Sequence, residues 1–392
     1  MKYLFRRDTI LATLAVFIVM GSIALLPLNL SVLNPFKLAL ADFDFNDIAY
    51  SELNKNADMP LDPRIVVVNI DNADRGQIAA MIETVQADKP SAIGLDVLFE
   101  EPKDPFTDSL LYSTIKNSPQ LVMASRLVWA DEKQPYKTGF LTDTSLQYGF
   151  ANFVGTDKGT IRYFSPMENE DGKKWLSFST AIIKNSDKAA YQELISRHKK
   201  VELINYSRRP DKYIIVDGLD ILDNNVAQDF FKNKIVLIGY ISKSPNDIED
   251  KYLTPMNAKF AGKAVPDMNG VIIHANIISM VLDGSFVKKI PSWLNWIITI
   301  LLAWVHISLF IRYYIDHHIW FHLVAKIAQL ISAIFVVYLS IYLFDKYNLK
   351  LNMSVAIVAI ILAIDIIYFY EAFALWLHKK FHFKTIFHKN HH

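Results

Sequence analysis

The chain has 392 residues, of which 52% are hydrophobic, and its formal net charge is +1. A nearly neutral chain shows no electrostatic footprint for nucleic acid, and the absence of cysteine excludes disulfides and thiolate metal sites. So high an apolar fraction leads us to ask where the apolar residues concentrate.

Four windows of the sequence each contain about 20 mostly apolar residues, which is the length that spans a bilayer. They are residues 10–28, 293–311, 323–344 and 351–377. The first window has a signal peptide as its alternative, because basic residues precede it and residues 39–41 resemble a cleavage site. Its apolar core is longer than the roughly 7–15 residues of the apolar region in a signal peptide, so we expect an uncleaved anchor.

Positive charges near the ends of these windows predict the orientation of the chain. Basic side chains in residues 1–9 and in the basic tail, residues 378–392, place both ends in the cytoplasm, although Lys288 and Lys289 oppose this weakly. We therefore expect residues 29–290 to form one periplasmic or extracellular domain. The predicted localisation is the bacterial cytoplasmic (inner) membrane, as a multi-pass protein.

Residues 62–71, DPRIVVVNID, contain four consecutive β-branched apolar residues at 65–68. A run without polar alternation predicts an inner strand of a parallel sheet, buried on both faces. A helical pattern follows and stops before Pro90, and residues 92–99 form a second apolar strand. This order predicts a βαβ unit with parallel strands and a right-handed crossover.

Shorter elements follow in chain order, after an amphipathic lead-in at residues 38–53. We predict helices at 109–116, 177–185 and 271–282, strands at 121–128, 201–205, 213–216 and 234–240, and hairpins within 139–175. The predicted fold class is an α/β domain, with a mixed sheet flanked by helices, plus four transmembrane α-helices.

Eight short stretches occur in an order that resembles one family throughout. They are DPRIVVVNID, AIGLDVLF, GFAN, GTIRYFSP, SFSTAII, NKIVLIG, DKYLTP and GVIIHAN, within residues 40–285. The chain is similar here to the second type of CHASE domain, an extracellular sensory domain associated with cyclases and histidine kinases. The resemblance implies a sensory module of unestablished ligand, followed by three transmembrane helices and usually by an output domain.

Only 15 residues follow Leu377, so the family's usual output domain has no room in this sequence. We expect signalling through a separate partner protein or a homo-oligomer.

Asp71 and Asp96 follow the two predicted parallel strands, at the edge where open α/β sheets bind ligands. The structural alternatives are a helix cap for Asp71 and a hydrogen bond to a loop for Asp96. Two nearby carboxylates also suit a divalent cation. Asn69 occupies the position where a phosphatase of the haloacid dehalogenase kind needs its nucleophilic aspartate, which disfavours that reaction.

The resemblance adds five further candidates for ligand binding. Asp250 and Thr254 match the Asp-x-x-x-Thr-Pro element of the family, and His274 and Asn276 match its His-Ala-Asn element. These side chains either form a polar pocket or lock loops by hydrogen bonds. Arg162, in the GTIR element, either pairs with one of these carboxylates or binds an anionic ligand.

Four polar residues within the predicted spans are candidates for coupling across the membrane, because hydrocarbon solvates charges poorly. His306, Lys326 and Glu371 lie at similar distances from the cytoplasmic ends, which predicts an interhelical pair of Glu371 with Lys326 or His306. Asp365 has no predicted partner at its own depth. Its alternatives are a hydrogen bond to a Tyr or Ser, or a contact with another protein's helix.

No nucleophile motif and no nucleotide-binding motif occurs, which favours binding over catalysis. We expect no enzyme activity, cofactor or metal site; the expected partners are the bilayer, a protein or second copy, and a small-molecule ligand. The alternative function is a structural or docking subunit of a cell-envelope complex. A polar pocket around Asp71, Asp96 and His274 favours sensing, whereas a filled pocket with an exposed apolar patch favours docking. A metal-dependent hydrolase requires Asp71 and Asp96 together in an open cleft.

Overall fold

The computed structural model describes residues 3–25, 44–53, 55, 58–127, 136–137, 143, 145–154, 159–170, 172–244, 247–257, 265–316 and 321–390. The chain forms two compact units. We call Leu38–Val287 the sheet unit, and Met1–Lys37 with Lys288–His392 the helical unit. The cleavage-like residues 39–41 lie outside the described residues, as do parts of the predicted 38–53 and 139–175 segments.

The described strands and helices are numbered here in chain order. The strands are β1 (Asp62–Asn69), β2 (Ala92–Asp96), β3 (Leu121–Leu127), β4 (Tyr136–Lys137), β5 (Tyr148–Phe150), β6 (Tyr163–Phe164), β7 (Met167–Glu170), β8 (Lys173–Leu176), β9 (Glu202–Leu203), β10 (Tyr213–Asp217), β11 (Ile235–Gly239), β12 (Lys251–Tyr252), β13 (Met268–Asn269), β14 (Lys288–Lys289) and β15 (Leu349–Lys350). The α-helices are α1 (Arg7–Leu25), α2 (Asp47–Ser51), α3 (Arg75–Ala87), α4 (Pro105–Lys116), α5 (Phe178–Ser186), α6 (Lys188–Ser196), α7 (Gly218–Leu222), α8 (Gly270–Leu282), α9 (Ser292–Asp316), α10 (Phe321–Tyr347) and α11 (Ser354–Phe381). Short 3₁₀ helices occur at Pro210–Lys212 and Ile386–Asn390.

The main sheet of the sheet unit has the strand order β10-β1-β11-β2-β3-β4, with β5 also paired to β3. All of these pairings are parallel except that of β4 with β3. The apolar runs of β1 and β11 lie in the middle of the sheet and are buried. The α/β fold with a mixed sheet is therefore confirmed. The strands β1 and β2 are parallel as predicted, but β11 lies between them.

Helices of the sheet unit begin at residues with side chains that can cap them. Asp74 accepts a hydrogen bond from the N–H of Gln77 and forms a capping box at the start of α3. The cap is therefore Asp74, and the structural alternative that assigned this role to Asp71 is wrong. Helix α4 starts earlier than its apolar pattern suggested, because Asp104 caps it and Pro105 fits its first turn.

Gly149 in β5 allows the start of α5 to lie directly against the sheet. A Cβ atom added at this position would lie 2.5 Å from the Phe178 Cα and 2.8 Å from the Phe178 backbone nitrogen. Backbone atoms cannot rotate away as the end of a side chain can, so we expect Gly149→Ala to destabilise the protein by about 1–3 kcal/mol. Thermal unfolding in detergent measures this loss. Gly21→Ala is the control, because nothing lies within 4 Å of its added Cβ; equal midpoints for the two variants would contradict the prediction.

In the part of the helical unit that the structure describes, four helices, α1, α9, α10 and α11, are long and apolar enough to cross a membrane. These four helices agree with the predicted transmembrane windows, and the chain is a multi-pass membrane protein. Helix α11 packs against α9, α1 and α10. Beyond α11, the segment Ile386–Asn390 returns to the bundle, where Phe387 is fully buried and Asp8 accepts hydrogen bonds from Thr385 and Tyr370.

Candidate functional site

A polar cavity of about 500 Å³ lies at the C-terminal ends of the parallel strands. Asn69, Gly239 and Asp96 are the last residues of β1, β11 and β2, and they occupy one row across the sheet. Open parallel sheets bind ligands at this edge. The lining residues are Ile70, Asp96, Val97, Leu98, Ser125, Arg126, Ala151, Asn152, Phe153, Tyr240, Asp250, Tyr252, Gly270 and His274.

Helix α8 begins at this cavity because two glycines let its first turn approach the sheet. A Cβ atom at Gly239 would lie 3.1 Å from the Val271 Cγ2 and 3.2 Å from the Asp96 Cβ. A Cβ atom at Gly270 would lie 3.1 Å from the Asp250 Oδ2. The N-terminus of α8 therefore contributes part of the cavity wall, next to the carboxylates of Asp96 and Asp250.

Asp96 presents a half-buried carboxylate to the cavity. Among the described residues, this carboxylate has no hydrogen-bond or ion-pair partner. Desolvation by burial, the larger cause, and the nearby charge of Asp250, the smaller, raise the pKa of Asp96 to about 8. An ionised carboxylate without a partner at a cavity wall lowers the stability of the ligand-free protein. The same carboxylate can bind a cationic ligand.

Asp250 lies across the first turn of α8 from Asp96. The residue is at a turn with a positive φ of 50° and is exposed overall, but its carboxylate lies over Gly270. Loss of water raises the pKa of Asp250 to about 6, and the Gly270 N–H and the Tyr252 hydroxyl limit the rise. Asp96 and Asp250 together make the inner cavity a site of negative potential once either is ionised.

His274 closes the inner wall of the cavity from the second turn of α8. Its ring is 3% exposed, stacks on Phe153 with centroids 4.8 Å apart, and meets Phe178 edge to face. Its Nδ1 is 2.9 Å from the Ser179 hydroxyl. Burial lowers the pKa of His274 to about 3, so the ring is neutral and adds no positive charge to the cavity.

Arg126 and Tyr252 are cavity residues that the sequence analysis missed. Arg126 is exposed, stands one residue before the end of β3, and has no ion-pair partner in the part of the chain that the structure describes. Tyr252 packs edge to face on Phe153 with centroids 5.2 Å apart. Arg126 was available from the same rule that selected Asp96, because β3 ends at the same edge of the sheet.

Asp71 and Arg162, two predicted site residues, do not line the cavity. The carboxylate of Asp71 is 2.8 Å from the Lys243 Nζ. The guanidinium of Arg162 donates to Asp47 of α2, with a shortest distance of 2.5 Å, and both side chains are largely buried. The partner of Arg162 is therefore none of the predicted carboxylates, and the ion pair fastens α2 to the rest of the sheet unit.

Thr254 and Asn276 also lie outside the cavity and fix neighbouring loops. The Thr254 hydroxyl donates to the Asp267 Oδ2 at 2.6 Å. The fully buried Asn276 accepts from the Arg208 N–H at 3.1 Å and donates to the Ile272 carbonyl. Of the seven predicted ligand-binding residues, the structure thus brings Asp96, Asp250 and His274 together.

A metal centre is not evident in the described ranges, which contain no group of three or more His, Asp or Glu side chains suited to one ion. The neighbouring carboxylates at the sheet edge are Asp96 and Asp250, and not Asp71 and Asp96 as the metal-dependent hydrolase hypothesis required.

The polar residues of the spans occupy different depths from those predicted. The Tyr314 hydroxyl donates to the Glu371 Oε2 at 2.6 Å, and the His306 Nδ1 donates to the Leu302 carbonyl of its own helix at 2.8 Å. The predicted pair of Glu371 with Lys326 or His306 is therefore wrong. Helix α9 extends to Asp316, beyond the predicted end of its window, so the end of the window does not mark the end of the helix.

Comparison with known proteins gives one family match. The family model of the CHASE2 domain matches residues 12–311 of the 392 residues. No curated protein and no solved structure matches the chain. The matched segment contains the whole sheet unit, including every residue that lines the cavity.

Proposed function

Because the chain belongs to the CHASE2 domain family, a family of extracellular sensory domains, we propose that its sheet unit senses a small polar ligand outside the cytoplasm. The observation that carries this proposal is the open cavity at the ends of the parallel strands, with the unpaired carboxylate of Asp96 in its wall. An open polar cavity favours ligand sensing over the alternative of a docking subunit, for which we expected a filled pocket.

The cavity favours a ligand with an ammonium group at its inner end. Asp96 and Asp250 supply negative charge there, and the aromatic ring of Tyr252, which also lines the cavity, suits a cation as well. Arg126 supplies an unpaired positive charge among the lining residues, which suits a carboxylate. The ligand class is therefore a small amine or zwitterion, such as an amino acid.

The sequence provides a short route from the cavity to the membrane spans. Helix α8 begins at the cavity with Gly270 and ends at Leu282, and α9 begins at Ser292. A ligand that draws the first turn of α8 toward Asp96 displaces this helix. The span α9 begins ten residues after α8 ends. The proposed receiver is a separate protein or a second copy, at the bacterial cytoplasmic (inner) membrane.

A thermal-shift screen of the 392-residue chain in detergent tests the proposal. The probes are amino acids, their decarboxylated amines and their deaminated acids, each measured at pH 6 and pH 8.5. We expect stabilisation by the amines and zwitterions and none by the acids.

Affinity for an amine should also rise with pH, because the raised pKa of Asp96, about 8, keeps this carboxyl protonated below that value. The expected gain approaches roughly tenfold per pH unit below about pH 8. Stabilisation by the deaminated acids alone, or an affinity for amines that falls with pH, would contradict the proposal.

A further inference from the structure

A polar patch lies on the exposed side of α10 and α11 in the helical unit. The Tyr368 hydroxyl of α11 is 2.9 Å from the His322 Nε2 of α10, and the two rings stack. Deeper in the span, the Gln329 Nε2 donates to the Ile361 carbonyl at 2.8 Å. These two contacts fix the antiparallel register of the helices.

This register places Lys326 and Asp365 at the same depth in the membrane. Lys326 lies four residues after His322, and Asp365 lies three residues before Tyr368, in the same direction along the bundle. At about 1.5 Å per residue their axial positions differ by only about 1.5 Å. Spacings of three and four residues also keep both side chains on the side of the His322–Tyr368 contact.

Both side chains are exposed on the surface of the helical unit. Within the residues that the structure describes, neither Lys326 nor Asp365 makes an ion pair or a hydrogen bond. The surrounding exposed side chains are apolar: Ile361 is 49% and Phe369 is 73% exposed, one turn on either side of Asp365. An acid and a base left in hydrocarbon are expensive, so this patch is incomplete in the single chain.

A second copy of the chain is the occupant that matches both charges at once. A two-fold axis along the membrane normal preserves depth, so each residue meets residues of its own level in the partner copy. An acid and a base at one depth therefore make the patch complementary to itself. An unrelated helix would have to supply both charges independently.

We infer that the α10/α11 face is the interface of a homodimer, in which Lys326 of each copy pairs with Asp365 of the other. Two ion pairs then close a neutral cluster of four side chains near the axis, and the exposed apolar residues above and below it are covered. The inference concerns the helical unit alone and holds whether or not the cavity binds an amine.

The absence of native cysteine makes cross-linking in isolated membranes a direct test. Single variants Ile361→Cys and Phe369→Cys are expected to form disulfide-linked dimers under mild oxidation. Leu309→Cys is the matched control, because Leu309 is 40% exposed on α9 and, from the Tyr314–Glu371 contact, lies at the depth of Asp365. It should stay monomeric.

Two further variants separate pairing between copies from pairing within one copy. In the Ile361→Cys background, Lys326→Ala and Asp365→Ala should each lower the cross-linked fraction roughly threefold to tenfold, the range for a lost interhelical polar contact. Coexpression of the two variants with different tags restores one ion pair between copies and none within a copy. Cross-linking of the mixed pair should therefore exceed that of either variant alone.

Three results would overturn the inference. One is no dimer at either cysteine, and the second is equal cross-linking at Leu309. The third is a mixed pair that cross-links no better than the single variants, which would assign the two charges to one copy or to another protein. A cross-linked band that contains a different protein in place of the dimer would likewise overturn the inference.

Discussion

Asp96→Asn is expected to remove the pH dependence of amine binding that is centred near pH 8, and to lower the affinity at pH 8.5 by about tenfold to a hundredfold, the range for a lost hydrogen bond to a charged group. The reason is that Asp96 is the unpaired carboxylate in the cavity wall, whereas the Asp250 carboxylate already accepts hydrogen bonds. Titration of the variant with the amine that shifts the wild type measures both effects.

The same variant has a second readout that needs no ligand. The raised pKa of Asp96 means that the folded state holds this proton more tightly than the unfolded state does. Its contribution to stability is complete below the ordinary pKa of aspartate and is lost as the pH rises toward about 8. We therefore expect Asp96→Asn to gain stability relative to the wild type between pH 5 and pH 8.5, by at least about 1 kcal/mol, the equivalent of one pKa unit.

Asp71→Asn is the matched control for both measurements. Asp71 follows strand β1 at the same edge of the sheet, but its carboxylate pairs with Lys243 and does not line the cavity. The control should keep the wild-type dependence of binding and stability on pH. If the two variants behaved alike, the cavity would not be the site that the ligand occupies.

The sheet could be predicted from the sequence because its strands have a simple local signature. The apolar β-branched runs of β1 and β11 indicate burial on both faces, and both strands lie in the middle of the sheet. The position of β11 between β1 and β2 could not be predicted, because pairing between segments about 140–170 residues apart has no periodicity in the sequence.

The site was only partly predictable, for a related reason. The end of a parallel strand is a local feature, and it pointed to Asp96 correctly. It also pointed to Asp71, which does not line the cavity. Asp71 has a left-handed backbone conformation, with φ 46°, and its carboxylate pairs with Lys243. The partner of Arg162 was not predictable, since nothing near Asp47 indicates that α2 folds back on this arginine.

Depth in the membrane was predicted from the ends of apolar windows, and the predicted partner of Glu371 was therefore wrong. Hydropathy marks the apolar part of a helix, but α9 continues beyond its window and Tyr314 meets Glu371 there. Measured from that contact, His306 and Asp365 lie within about 3 Å of the same depth, at 1.5 Å per residue. The residue that shares its depth with Lys326 is Asp365, and not Glu371.

Asp62→Ala is expected to cause the largest loss of stability, about 3–5 kcal/mol, the range for breaking a buried ion pair. The Asp62 side chain is fully buried at the start of β1. It accepts hydrogen bonds from the Arg64 Nε at 2.8 Å and from the Ser279 hydroxyl of α8 at 2.8 Å. Arg208 also lies 3.7 Å away, and it pairs with Asp283 at 2.8 Å.

The size of the effect follows from what the substitution leaves behind. Without Asp62, the guanidinium of Arg208 keeps Asp283 and loses the second carboxylate near it. Because the Arg208 side chain is only 5% exposed, water cannot replace that carboxylate. The contacts also join the start of β1, Arg208 and the end of α8, so these three parts of the sheet unit lose a common attachment. Asp62→Asn keeps the shape and some hydrogen bonds, and should therefore cost less than Asp62→Ala.

The pH dependence of Asp62→Ala distinguishes a lost charge from a lost volume. Burial alone would raise the pKa of Asp62, but the hydrogen bonds from Arg64 and Ser279 outweigh it, and the pKa is lowered. The stabilisation is therefore present above the ordinary aspartate pKa and is lost as the pH falls through the folded value. We expect the difference in unfolding free energy between wild type and Asp62→Ala to be constant from pH 6 to pH 8 and to shrink below about pH 4.

Lys232→Ala is the control for ion pairing at the surface. Lys232 pairs with Asp229 at 3.2 Å with both side chains more than half exposed, so its loss should change stability by less than about 1 kcal/mol at any pH. Denaturant unfolding of the three proteins at several pH values gives the comparison. A cost for Asp62→Ala that matched Lys232→Ala, or that persisted unchanged at pH 3, would show that packing and not the buried charge holds β1 to α8.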